Sequence, residues 1–192
     1  MITMAQLISA IEAHIMSPKY LTALHAQLRK KGDGAYRFLS VMTMHTDAPF
    51  DSETEEIVKQ LLRDRADALL AGRALQVLTT AWGRFTEFRG EILDAIAGTE
   101  WDLDGDYKLA GVICAGFYLA NIRDKEILNA VLGRLGDSNE LTGTRQAARD
   151  ALLRAMGKDS KEIVRTSIAI DKRYVPQRDP VAAWAAEQLA TS

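Results

Sequence analysis

Along this chain apolar residues return every three or four positions almost everywhere, and no stretch alternates strictly between apolar and polar. Helices are therefore expected throughout and strands are not. The clearest helix runs from about Asp106 to Ala120, with Leu109, Val112, Ile113, Gly116, Phe117 and Ala120 forming one stripe. A second is expected near 143–157, on Thr144, Ala148, Ala151, Leu152, Ala155 and Met156, and a third near 66–82, on Leu70, Ala74, Val77, Leu78 and Ala81. Proline and glycine punctuate the pattern. Ser17-Pro18 and Asp179-Pro180 read as an N-cap followed by the first helical position, where proline's missing N–H costs nothing. Pro49 and Pro176 fall in expected loops, and "KGDG" (31–34) reads as a break between two helices.

A second pattern is superposed on the first. Glu-Ile followed by Val or Leu recurs at Glu56, Glu91, Glu126 and Glu162, at spacings of 35, 35 and 36 residues. The apolar positions behind it also align: Ile57 and Leu61, Ile92 and Ile96, Ile127 and Val131, Ile163 and Ser167. Ser52 and Glu55 have the spacing of a capping box for the first of these helices. A period of this length, two helices long, is the mark of a solenoid, in which stacked pairs bury a core that no single pair can. The expected fold is all-α: a right-handed α-solenoid of about four to five stacked helix pairs in one domain spanning 1–192. Residues 1–50 would form an N-terminal cap and a degenerate repeat, 51–170 the regular repeats, and 171–192 a loop and a C-terminal capping helix carrying Val181, Trp184 and Leu189.

The unit "LGDSNELTGTRQAARDALLRAMG" (135–157) resembles a HEAT-type repeat, with Asp137 in the inter-helix turn, Arg145 opening the second helix and Ala148, Ala151 and Leu152 on its packing face. The likeness is good over 124–157, fair over 86–121 and weaker over 53–82. A 35-residue period is short for HEAT, and the Trp, Leu-Gly and Tyr pattern of TPR helices is absent. The resemblance implies a binding scaffold and leaves the ligand open.

Composition narrows the choices. With 47% hydrophobic and 26% charged residues the 192-residue chain can bury a core. A net charge of −2 does not suit a general nucleic-acid binder. One cysteine, Cys114, rules out an intramolecular disulfide and a cysteine-based zinc framework, and fits a reducing, cytoplasmic setting. No opening segment has the charged and apolar regions of a signal peptide, and no apolar run reaches a membrane-spanning length.

Local chemistry is sparse. "WDLDGDY" (101–107) alternates Asp102, Asp104 and Asp106 around Gly105. An EF-hand counted from Asp102 would need glycine sixth and a bidentate glutamate twelfth, and the latter position holds Ile113. The turn is instead expected to be solvated, with Asp106 capping the helix that follows and Trp101 closing over the core. His14, His25 and His45 lack metal-ligand spacing, and Cys114 sits within an apolar stripe. No catalytic constellation, cofactor box or metal set is read from the chain.

Charge is distributed unevenly. Asp47, Asp51, Glu53, Glu55 and Glu56 form one acidic run without a base. A second, from Glu87 to Asp106, has seven acids against Arg89 alone. Downstream, Arg145, Arg149, Arg154, Lys158, Lys161 and Arg165 reverse the sign. The expectation is an acidic strip and a basic strip on successive turns. Glu100, Trp101, Asp102, Asp104 and Asp106, with Asp51 and Glu53, are the candidate contacts for one basic protein partner. The function expected is a non-catalytic protein-binding module, in its sharper form a bacterial immunity protein that neutralises a basic toxin. A HEAT-like DNA glycosylase and a structural subunit of a larger assembly are the alternatives.

Overall fold

A computed structural model describes residues 2–46, 48, 50–170 and 174–191. The expected loop residue Pro49 and the acid Asp47 lie outside them. Among the described residues there are eleven α-helices and no strand. None of these helices is long and apolar enough to cross a membrane.

The chain divides into two compact units, Met1–Phe88 and Arg89–Ser192. The first holds α1 (Met4–Glu12), α2 (Pro18–Arg29), α3 (Gly32–Met42), α4 (Ser52–Leu62) and α5 (Ala68–Gln76). The second holds α6 (Arg89–Ala97), α7 (Asp106–Asn121), α8 (Lys125–Gly136), α9 (Thr142–Ala155), α10 (Ser160–Arg165) and α11 (Pro180–Ala190).

Helix starts follow capping chemistry, in places one or more residues from the expected site. Thr3 and Gln6 close a capping box on α1, and Asp159 and Glu162 close another on α10. Ser17 stands at the N-cap of α2 but makes no side-chain cap bond there. The Ser52–Glu55 box does not form. Asp51 takes the N-cap of α4 and accepts from the Thr54 N–H, which places Ser52 inside the first turn. The break expected at "KGDG" is present but confined to Lys30 and Lys31: Lys31, at φ 58°, turns the chain, and Gly32 already begins α3. Past Gln76, α5 widens into a π-helical turn, Val77–Ala81. The Thr79 and Thr80 hydroxyls donate to the carbonyls of Leu75 and Gln76, competing with the regular backbone ladder there.

The Glu-Ile segments lie in the first turns of α6, α8 and α10 and in the second turn of α4. Ile57, Ile92, Ile127 and Ile163 are all buried, as are Leu61, Ile96 and Val131. The last copy is truncated: α10 stops at Arg165, and Ser167 lies exposed beyond it. In the first unit α2 packs on α3 and α4, while α5 packs on α3 and α4. In the second, α6 packs on α7 and α8, while α9 packs on α7 and α8. Helix α7 approaches both α6 and α9 closely because it carries a glycine at each crossing. A Cβ on Gly111 would stand 2.5 Å from the Cβ of Ala95 on α6, and one on Gly116 would stand 2.8 Å from the Cα of Ala151 on α9. Helix α11 returns over α8 and α9 and buries Val181, Ala182 and Ala185.

Candidate protein-binding surface

The acidic turn at 98–105 joins α6 to α7 and is built around two left-handed glycines, Gly98 at φ 85° and Gly105 at φ 78°. These conformations strain any residue with a Cβ, so the turn's path depends on glycine at both ends. Gly105 occupies the N-cap of α7 and has no side chain with which to cap it. Asp102 supplies the missing acceptor, its two carboxylate oxygens taking the Tyr107 N–H at 3.2 Å and the Lys108 N–H at 2.8 Å. The expectation that Asp106 caps this helix is therefore corrected: Asp106 is its first helical residue.

Trp101 does close over the turn, its ring 4.9 Å from that of Tyr107 at an interplanar angle of 39°. Burial raises the Tyr107 hydroxyl pKa, and the nearby charges of Glu91 and Asp94 raise it further. The next turn braces the first. Glu140 has a side chain only 4% exposed and lies 3.1 Å from the Lys108 ammonium and 3.3 Å from the Arg134 guanidinium. Arg134 also donates to the Ala97 carbonyl at the end of α6.

On this hydrogen-bonded frame Leu103 is 90% exposed, between Asp102 and Asp104. Leu141, 56% exposed, reaches across from the neighbouring turn, its Cδ1 3.3 Å from where a Cβ on Gly105 would stand. Glu100 and Asp104 are exposed, and along with Glu91 and Asp94 they have no ion-pair partner among the described residues. The result is an apolar tip within a field of uncompensated carboxylates.

Asp51 and Glu53 belong to the other unit and are engaged internally. The Asp51 carboxylate accepts from the backbone N–H and the hydroxyl of Thr54, and lies 3.1 Å from Nε2 of the buried His25. Burial alone would raise the Asp51 pKa, but the Thr54 and His25 contacts outweigh it and hold the group below the usual carboxylate range. Glu53 pairs with Arg29 and lies 3.4 Å from His25 Nδ1. His25, Asp51 and Glu53 thus bring three possible metal ligands within 4.8 Å of one another. Both imidazole nitrogens face protein partners, however, and a cation bound here would compete with Arg29 for Glu53. Sequence spacing could not reveal this cluster, because His25 lies 26 residues from Asp51 and reaches it only once α2 packs on α4.

Two other charge expectations are revised. Glu55 is paired by Lys59 and Arg84, and Arg84 also pairs with Glu87, so this part of the first acidic run is compensated by bases from later in the chain. The basic strip on α9 does not form. Arg145 is buried, donates to the Leu135 carbonyl and stacks over Tyr174. Arg149 is buried against Asp179, and Arg154 lies over the Phe117 ring. Cys114 is fully buried in α7. The sequence matches no protein-family model and no curated protein, and the fold matches no solved structure.

Proposed function

We propose that this chain is a non-catalytic protein-binding module that seats one basic protein partner on the 98–105 turn. The observation that carries this reading is Leu103, 90% exposed on a turn braced by Asp102, Trp101 and Glu140 and bordered by unpaired Glu100 and Asp104. An isolated exposed leucine is ordinary. One held on a preorganised turn loses little further entropy when it enters a partner's pocket. The carboxylates around it favour fast association with a cationic surface and disfavour acidic competitors.

A HEAT-like α-solenoid of stacked pairs is the architecture we infer, because within each unit first helices touch first helices and second touch second: α2–α4 with α3–α5, and α6–α8 with α7–α9. A basic toxin neutralised by an immunity protein of this kind is the sharper form of the proposal, resting on the acidic turn and the repeat resemblance. The glycosylase alternative loses support, since Arg145 and Arg149 are engaged internally and the carboxylates beside Trp101 would repel phosphates.

The test is affinity capture from the source organism's lysate with wild type beside Leu103→Ser and Glu100→Gln/Asp104→Asn variants, each checked for native helicity. A protein retained stoichiometrically by wild type, lost with Leu103→Ser and weakened by salt and by the charge variant is the expected result. Equal retention by all three, or salt-labile nucleic acid in place of protein, would overturn the reading.

A further inference from the structure

We propose that the second unit also binds a small aromatic monocarboxylate, in a cavity beneath α11 remote in sequence from the Leu103 turn. The cavity lies where α11 crosses the end of α7, the start of α8 and the end of α9, and has a volume of about 190 Å³. An enclosed apolar cavity of about 150 Å³ accepts a benzene ring, so this partly open, mixed-lining pocket has room for one ring with a short acidic arm at its mouth. Leu119, Leu128 and Ala155 form apolar wall, and Trp184 also lines it. Trp184 is half-buried while its helix neighbours Val181, Ala182 and Ala185 are buried, so the helix is anchored by small residues and leaves its one large ring at the cavity.

The polar lining decides the ligand's charge. Asp124 is not available to a cationic ligand. It caps α8 through the Glu126 and Ile127 N–H groups and takes two bonds from Arg89. Burial would raise its pKa, but Arg89 and the Ile127 N–H hold it below the usual range. Lys125 is fixed as well, donating to the carbonyls of Leu189 and Thr191 at the end of α11. Gln188 and Thr191 add neutral polar groups, and of the charged lining residues Arg123 remains: it is exposed and has no hydrogen bond or ion pair among the described residues. A guanidinium with its donors uncommitted, beside an aromatic ring and an apolar wall, matches a carboxylate carried on an aromatic group. A neutral analogue would lose the charge-assisted bond, and a cationic one would be repelled.

The probes are phenylacetate and its neutral counterpart phenylacetamide, read by saturation-transfer NMR and titration calorimetry on the whole chain. Phenylacetate is expected to bind saturably with a Kd of about 1 mM or tighter. Phenylacetamide, and phenylacetate with Arg123→Gln, should each bind about tenfold more weakly. Ala155→Leu, which fills the cavity from α9, should abolish binding while the far-ultraviolet spectrum stays native. Absence of saturable binding, equal affinity for acid and amide, or binding indifferent to both variants would overturn the proposal. None of these results bears on the Leu103 surface.

Discussion

Arg149 on α9 and Asp179 at the start of α11 form an ion pair buried within the second unit, Nε donating to Oδ2 at 2.7 Å with side chains 6% and 1% exposed. The pair is embedded in further bonds. Arg149 also donates to the Thr166 carbonyl, Asp179 accepts from the Tyr174 hydroxyl at 2.7 Å, and its other oxygen caps α11 through the Val181 N–H. One carboxylate thus starts the last helix, neutralises a buried guanidinium and holds the Tyr174 hydroxyl. Burial raises the Tyr174 hydroxyl pKa, and its bond to the Asp179 carboxylate raises it further.

Replacing Asp179 by asparagine retains the cap and strands the Arg149 charge. A buried ion pair adds little over an apolar pair, but removing one partner typically costs about 3–5 kcal/mol. Asp179→Asn is expected to destabilise the chain by about 3 kcal/mol in urea denaturation, with part of the loss recovered in the double variant Arg149→Met/Asp179→Asn. Additive losses would mean that the pair is not coupled.

The same carboxylate ties stability to acid. Burial alone would raise its pKa, but Arg149, the Tyr174 hydroxyl and the Val181 N–H together hold it below the usual carboxylate range. With the folded value under the unfolded one, the contribution is complete above the unfolded value, about 3.9, and is lost as pH falls through the folded one. Asp51, Asp64 and Asp124 are lowered as well and add to the slope, whereas burial raises Asp150 and opposes it. Unfolding free energy should therefore fall below about pH 4 as the lowered aspartates take up protons. Asp179→Asn should show a shallower acid slope than wild type, and an unchanged slope would remove Asp179 as a cause.

Helix positions and the Glu-Ile rhythm were legible in the sequence because they depend on local periodicity. All four Glu-Ile isoleucines are buried. The stripe from Leu109 to Ala120 lies within α7, but only its Val112 and Gly116 are buried, because the packed face runs through Ala110, Gly111, Cys114, Ala115, Tyr118 and Leu119. Caps were legible only approximately. Asp51 stands beside Ser52, and Asp102 near Asp106, and spacing alone does not choose between adjacent acceptors. The arginines of α9 were misjudged because charged residues are normally solvated. Arg145 and Arg149 are buried only because a carbonyl, a tyrosine ring and a carboxylate arrive from other segments. The 98–105 turn was visible as acidic, whereas the exposure of Leu103 and its bracing by Glu140 emerge only when two turns meet.

Glycine packing gives a contrast within one unit. On α7 the Cβ of Gly116→Ala would meet the Ala151 backbone of α9, which cannot swing away as a side-chain end can. Overpacking of this kind typically costs about 1–3 kcal/mol. On α8, Gly133 has nothing within 4 Å of its would-be Cβ, and alanine there should gain about 0.5–1 kcal/mol from helix propensity. Denaturation of the two single variants checks both signs, and a neutral Gly116→Ala would show that α7 and α9 can separate at little cost.

The last prediction separates the two roles within the acidic turn. Asp102 spends its carboxylate on the Tyr107 and Lys108 N–H groups, so Asp102→Ala should cost about 1 kcal/mol, as loss of a helix cap does. Asp104 and Leu103 are exposed, and Asp104→Asn and Leu103→Ser should each stay within about 0.5 kcal/mol of wild type. Any effect those two variants have on partner capture is then attributable to the surface itself. Asp102→Ala, by contrast, would weaken capture through the turn it supports, and lowering the temperature should restore part of the binding. If Leu103→Ser unfolds the chain instead, Leu103 is part of the core and the surface assigned to it does not exist. Thermal denaturation of the three single variants, run beside the capture assay, decides between these outcomes.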